Sequence, residues 1–513
     1  MDSPRIERRA FLVAGWSLGL GALGLAAPGR AEGPATMPPG IRVGPIRRVG
    51  AEGVKYIEPW LCANPRDAKN LIVAASVYVG PAPKGDGRTM GEVRYTADGG
   101  QTWSIGDLPG MAEFRDKPGV FLDSYATFAP DGTAFVEFLD GSGDQPHLDL
   151  WTYRSVDGGR RWHGPTIIGG PFDFPRLAAD LHEGRPRVFI VAAARGGLPI
   201  FHPSRPGKGC AILRSDDGAR TFSAVNLLAP TTLWHQPNNS PIILPDGRLL
   251  VTFQDFIPTR NDPQLTLSRF YTAQSKDGAA TFSLPAPMFE SPLRHSDVGV
   301  AADLTDGPRR GRVYSVSHSD ISDPPGLRLR TSEDGAKWTQ PTAVPIVRDG
   351  PIPHVAVAVS AKGVLGVAWV HGEAGSEERM KQRYQNTGVA IREDSWDLYF
   401  TASADGGQSF AAPVPLLKEP YRTDEKVTPR WPYSTDYISL AAPPDGSFHL
   451  LWQERVARVV GSTEATSDQR KGASTIDRPH PILTTMSKDG CAEIAPGIAH
   501  QAHNRCEEEW AVT

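Results

Sequence analysis

An eight-residue pattern, Ser/Thr-x-Asp-Gly-Gly/Ala-x-Thr-Trp/Phe, returns along this chain at a nearly constant interval. It constrains the fold more than any other feature. The copies are TADGGQTW (Thr96–Trp103), SVDGGRRW (Ser155–Trp162), SDDGARTF (Ser215–Phe222), SKDGAATF (Ser275–Phe282), SEDGAKW (Ser332–Trp338), SADGGQSF (Ser403–Phe410) and a truncated SKDG (Ser487–Gly490). Successive aspartates stand 59, 60, 60, 57, 71 and 84 residues apart. A period near 60 is the mark of a repeat architecture, which grows by adding units, so 513 residues do not require several domains.

The pattern has the chemistry of a tight hairpin. The hydroxyl and carboxylate bond backbone amides of the turn, Gly supplies positive φ, and the aromatic ring packs between neighbouring sheets. This local task is sufficient for the seven aspartates without a calcium or catalytic role. A second turn precedes most copies, as in Pro130-Asp131-Gly132, Pro245-Asp246-Gly247 and Pro444-Asp445-Gly446, with β-branched and aromatic runs on either side. Each unit therefore reads strand, turn, strand, variable loop, strand, box, strand. The prediction is an all-β chain forming a seven-bladed β-propeller of four-stranded antiparallel sheets, with a six-bladed propeller as the alternative. A loose fourth-strand pattern with proline (Gly164-Pro165, Leu284-Pro285, Ala412-Pro413) also occurs at Gly44-Pro45, before the first unit. Ile41 to Val49 is accordingly expected to be the outer strand of the last blade.

With 53 Gly and 47 Pro, the composition suits short strands and many turns. A net charge of −4 and the absence of a long basic run after the N-terminus offer nothing to a phosphate backbone, so nucleic acid is not an expected partner. Residues 1–33 read as an export leader. Arg8-Arg9-Ala10-Phe11-Leu12 fits the twin-arginine pattern, a weakly apolar Gly/Ala/Leu core runs to Ala27, and a small-residue site lies near Ala31. The expected organisation is leader 1–33, propeller 34–490 and C-terminal tail 491–513. The expected location is periplasmic or secreted, with no stable membrane span once the leader is removed. In that oxidising setting Cys491 and Cys506 are a candidate pair.

The boxes resemble the Asp-box, or BNR, repeats of the sialidase superfamily, and the resemblance covers nearly all of the chain after the leader. It implies a glycan-directed glycoside hydrolase of exo-sialidase type, although the same repeat also decorates other glycosidases and non-catalytic propellers. A sialidase of this kind carries an aromatic-Arg-Ile-Pro motif, an arginine clamp, a Tyr/Glu nucleophile pair and an Asp acid/base. The comparable stretch here is Tyr56-Ile57-Glu58-Pro59, with an acid where the clamp has a cation. Arg115, Arg176 and Arg430 are the alternative clamp, and Tyr433 or Tyr437 with Glu454 the alternative nucleophile pair.

In an up-and-down blade the boxes lie on one face, while the unit starts and variable loops lie on the other, where inner strands converge. That mouth is the expected site for a glycan or small-molecule ligand. Its catalytic candidates are Glu58, Asp116, Asp297, Asp436, Tyr437 and Glu454. Its binding candidates are Arg115, Arg176, His235, Asn238, His354 and Arg430. Three hypotheses follow: a glycoside hydrolase using two mouth carboxylates, a non-catalytic carbohydrate- or protein-binding propeller, and a metal-dependent hydrolase drawing on His235, His318, His354 and His371. No compact metal-ligand or cofactor motif supports the third, so neither metal nor cofactor is expected. Replacing both Arg8 and Arg9 by Lys should leave the precursor in the cytoplasm on fractionation. Unchanged export would leave only an ordinary secretory signal.

Overall fold

The computed structural model describes residues 41–51, 54, 56–80, 88–115, 119–142, 148–194, 208–231, 235–237, 239–258, 266–291, 298–318, 326–373, 395–418, 420–422, 438–453 and 481–486. The seventh box, the leader and the Cys491–Cys506 pair lie outside them. The described residues are strands and turns apart from one turn of 3-10 helix, Met111–Arg115.

The chain is a β-propeller. Six antiparallel sheets are each built wholly from consecutive strands, and a seventh joins the two ends of the described chain. Sheet 1 runs Tyr56–Ala63, Leu71–Gly80, Arg88–Thr96, Ser104–Ile105. Sheet 2 runs Phe121–Phe128, Ala134–Asp140, Asp149–Ser155, His163–Ile168, and sheet 3 Phe172–His182, Arg185–Ala194, Lys208–Ser215, Ser223–Thr231. Sheet 4 opens on His235–Pro237 and Ile242–Ile243, both paired to Leu249–Pro258, then continues through Thr266–Ser275 and Ala286–Ser291. Sheet 5 is Val298–Ala302, Val313–His318, Leu327–Ser332, Thr342–Val344. Sheet 6 is Val355–Val359, Leu365–Gly372, Ser395–Ser403, Val414–Pro415, with Tyr421–Arg422 as an extra partner of its third strand. Sheet 7 is Ser439–Ala441, Phe448–Gln453, Pro481–Met486 and, on its outer edge, Val43–Arg48.

The expected closing strand is therefore present: Val43–Arg48 pairs antiparallel with Pro481–Met486. Further bonds carry the closure inward. The Leu61 amide donates to Ser439 Oγ at 3.0 Å, and Gln453 Nε2 donates to the Tyr56 carbonyl at 2.5 Å, so sheet 7 is tied to the inner strand of sheet 1. Closure satisfies backbone groups that an open edge would leave unpaired.

Six boxes build the same turn. In the second, Ser155 Oγ donates to Asp157 Oδ1 at 2.9 Å and accepts the Gly159 amide at 3.0 Å, while Asp157 Oδ1 accepts the Arg161 amide at 3.0 Å. Thr96/Asp98, Ser215/Asp217, Ser275/Asp277, Ser332/Asp334 and Ser403/Asp405 repeat the hydroxyl–carboxylate bond. Burial works against ionisation of Asp98, but hydrogen bonds from Thr102 and Thr96 outweigh it and lower its pKa to about 2. Gly159 lies at φ 92° and its missing Cβ would sit 2.9 Å from Ile72 Cδ1, so both conformation and space call for glycine there.

Each box also belongs to the neighbouring sheet. Its aromatic ring enters the core shared with the sheet before it: Trp162 packs with sheets 1 and 2, Phe222 with 2 and 3, Phe282 with 3 and 4, and Trp103 with 7 and 1. Its outward carbonyls are taken by side chains of the preceding sheet. Asn70 Nδ2 donates to Gly158 O (3.0 Å), Thr166 Oγ1 to Ala219 O (2.6 Å), Arg214 Nη1 to Gly278 O (2.7 Å), Gln274 Nε2 to Asp334 O (2.6 Å) and Arg309 Nη2 to Ala404 O (2.8 Å). A box is thus a latch between sheets as well as a hairpin. Asp157→Ala removes the carboxylate that orders one such turn and should lower stability by about 1 to 3 kcal/mol in thermal or urea melts. An unchanged melt would refute the latch.

Candidate functional site

Strand alternation puts the starts of the first strands at the end opposite the boxes. Sheets 1, 2 and 3 carry the same irregularity there. Register shifts interrupt their first strands between Ile57 and Trp60, Leu122 and Tyr125, and Asp173 and Arg176. At each shift a non-glycine residue takes a left-handed conformation: Glu58 at φ 50°, Asp123 at φ 46° and Phe174 at φ 49°. The three segments align as Tyr56-Ile-Glu-Pro-Trp60, Phe121-Leu-Asp-Ser-Tyr125 and Phe172-Asp-Phe-Pro-Arg176. Each begins with a buried aromatic ring.

Two rows of contacts run across these strands. In the first, Glu58 Oε2 accepts the Asp123 amide at 2.7 Å, and Asp123 Oδ2 accepts the Phe174 amide at 3.2 Å, which Asp173 Oδ1 also accepts at 3.2 Å. In the second, the Trp60 and Tyr125 rings pack tilted by 33° with centroids 4.3 Å apart, and the Arg176 guanidinium lies 4.0 Å from the centre of the Tyr125 ring. A left-handed conformation costs an L-residue roughly 1–2 kcal/mol. Three of them together persist only where surrounding contacts over-determine the backbone. The carboxylate-to-amide bonds and the ring contacts supply them.

Behind this row lies Glu137, opposite Tyr125 on one side and Thr152 on the other. It is fully buried, and neither carboxyl oxygen has a hydrogen-bond partner among the described residues. Burial pushes its pKa well above the ordinary value, the nearby Asp123 charge raises it further, and Arg176 opposes both. The buried site therefore disfavours the ionised form of Glu137. Elsewhere at this end, burial raises the pKa of Asp140 and of Asp255, whose Oδ2 accepts from the Tyr271 hydroxyl at 3.4 Å. On sheet 6, burial and then Arg348 depress His371 to about 4, while Arg348 pairs with Asp397 at 2.8 Å. Among the described residues no three of His, Cys, Asp and Glu converge on a point that could hold a metal ion.

Of the residues expected from sequence, Glu58 and Arg176 come together, joined through Asp123 and Tyr125. Arg176 is buried, and its Nη1 donates to the Pro175 carbonyl at 2.9 Å. Arg115 ends the 3-10 turn with its side chain exposed. His354 is buried at the start of sheet 6, where its carbonyl accepts the Val370 amide, and belongs to a different part of the ring. The backbone of His235 pairs with Asp255. Asp116, Asp297, Asp436, Tyr437, Glu454, Asn238 and Arg430 lie outside the described residues. Sequence reasoning passed over Asp123, Glu137 and Phe174. The signal for Asp123 and Phe174 was present, since aligning the unit starts on their leading aromatic superimposes them on Glu58.

No family model and no curated protein matches the chain. Among solved structures it is similar to a Hadza microbial sialidase (13% identity, covering 81% of this chain and 96% of that one, TM-score 0.40). It is also similar to an intramolecular trans-sialidase from Ruminococcus gnavus (14%, 86% and 96%, TM-score 0.39) and to an α-L-arabinofuranosidase from Fusarium graminearum (12%, 71% and 92%, TM-score 0.39).

A buried carboxyl with a raised pKa binds a proton in the folded chain that the unfolded chain releases above about 4.5. Stability is therefore lost as pH rises from that value through the folded pKa of Glu137. Glu137→Gln, which cannot ionise, should flatten this part of the stability–pH curve and leave the variant more stable than the parent at pH 8. Curves of identical slope in urea melts from pH 5 to 9 would show that Glu137 is ionised in the fold.

Proposed function

We propose that this chain is an exported, glycan-directed glycoside hydrolase of the sialidase-superfamily type, working at the end of the propeller opposite the boxes. The observation that supports this most is the Asp123/Glu137/Arg176 cluster. It sets Glu137, whose ionised form burial and the Asp123 charge disfavour, close to Asp123, with the Arg176 charge acting in the opposite sense and its guanidinium over the Tyr125 ring. Glycoside hydrolysis uses two carboxyl groups in opposite protonation states, and environments that separate their pKa values assign the roles. In this reading Asp123 is the base or nucleophile, Glu137 holds the proton of the pair, and Arg176 sets the charge balance. Glu58 positions Asp123 through its amide. The residues Asp116, Asp297, Asp436, Tyr437 and Glu454, read from the sequence as catalytic candidates, are proposed as further groups of this end, with Arg115, His235, Asn238, His354 and Arg430 as binding groups.

A specific observation favours a second reading, a non-catalytic binding propeller: Glu58 and Asp123 each commit one oxygen to a backbone amide, and Asp123 and Glu137 are both buried. Purified protein incubated with sialosides, arabinosides, other glycosides and polysaccharides decides between the two. The hydrolase reading expects release of sugar from at least one class. It also expects turnover of that substrate to fall about 10²-fold or more in Asp123→Asn, which keeps an acceptor for the Phe174 amide, with little change in melting temperature. Binding without release would favour the second reading, and Asp123→Asn turning over at the parental rate would remove Asp123 from the chemistry.

A further inference from the structure

Glu58 and Asp123 have an evident reason to be what they are at their left-handed positions, because each carboxylate accepts the amide of the next one along. Phe174 has none. Its amide ends the relay, donating to Asp123 and Asp173, and its own side chain has no polar group to pass on. Glycine would occupy φ 49° without strain, yet this position holds a bulky aromatic, for which a left-handed conformation is a true outlier.

Packing does not account for the ring either. Phe172 and Leu177, on the same strand, fill the apolar cluster between sheets 2 and 3, whereas Phe174 enters none of the apolar clusters formed by the described residues. Phe174 is only half-buried. It stands two residues before Arg176 and one after Asp173, both buried polar groups at the mouth end of the strand. A partly exposed phenyl group on a strand end that also carries Arg176, with two carboxylates on its own amide, matches the two-sided chemistry of a sugar, whose C–H face is apolar and whose hydroxyls need polar partners.

We propose that Phe174 is the platform on which a sugar ring of the ligand stacks, and that its strained backbone is retained because it presents the ring at the mouth. This rests on the glycan reading given above. The register shift turns the residue out of the strand alternation that would otherwise send neighbouring side chains into the sheet interfaces, and the two carboxylates on its amide hold it there.

The test uses the mature protein on an array of sialosides, arabinosides and other glycans, followed by titration of the glycan retained most strongly. Phe174→Gly removes the ring and relieves the φ strain, Phe174→Leu keeps apolar bulk without a π face, and Phe174→Trp keeps an aromatic face. The proposal expects Phe174→Gly to melt at or above the parental temperature while binding about tenfold or more weakly. It expects Phe174→Leu to lose affinity in the same way, and Phe174→Trp to retain the parental glycans. Parental affinity in Phe174→Gly or Phe174→Leu overturns the platform while leaving the glycan reading intact. A parent that retains no glycan overturns the glycan reading, and the platform with it. A Phe174→Gly variant that fails to fold overturns the strain argument, and Phe174→Leu then decides the contact.

Discussion

The structure depends on a hydrogen bond repeated around the ring: a Ser or Thr hydroxyl donating to the aspartate two residues on, with the amides of the turn closing around both. Its importance lies in what it leaves over. Once side chains hold the turn together, the backbone carbonyls of the box face outward and are free to accept. The preceding sheet supplies Asn70, Thr166, Arg214, Gln274 or Arg309, a different residue each time, to the same kind of acceptor. A propeller sheet touches mainly its two neighbours, so this bond and the box aromatic beside it join local turn chemistry to ring assembly.

The repeat made the fold legible in the sequence. The period, the turn chemistry and the proline-bearing strand at Gly44-Pro45 were enough to anticipate four-stranded antiparallel sheets and a closing strand from the N-terminal side. The bonds that hold neighbouring sheets together were not readable in the same way. Asn70 and Arg309 share no local pattern, and only the position of the acceptor unites them. Much of the mouth was equally hidden, for a different reason. Glu137 sits in the run Ala134–Asp140, among Phe135, Val136, Phe138 and Leu139, where a sequence reader sees a buried strand with one polar interruption. Its significance arises only when Tyr125, Asp123 and Arg176 arrive from two other strands.

Glu58 marks the boundary between what is legible and what is not. Its place at a unit start was readable, and the structure keeps it at the mouth. The task of its carboxylate was not readable, because that depends on a bulge in the adjacent sheet, which brings the Asp123 amide within 2.7 Å. An acid at a mouth can be spent on the backbone as readily as on a ligand, and only the partner decides.

The two ends of the ring thus use carboxylates in opposite ways. At the box end they relax the backbone: glycine takes most of the positive φ angles, hydroxyls and amides satisfy the aspartates, and Asp98 is held fully ionised. At the other end carboxylates hold a strained backbone in place, with Glu58, Asp123 and Phe174 kept left-handed by bonds from strand to strand and Glu137 buried behind them where ionisation is disfavoured. Left-handed strain of roughly 1–2 kcal/mol per residue is large beside the net stability of a folded chain, and it can be borne only because the opposite end is so regularly bonded. The repeats therefore do more than set the architecture. They supply the rigidity against which three neighbouring strands can hold an arrangement that no isolated hairpin would adopt.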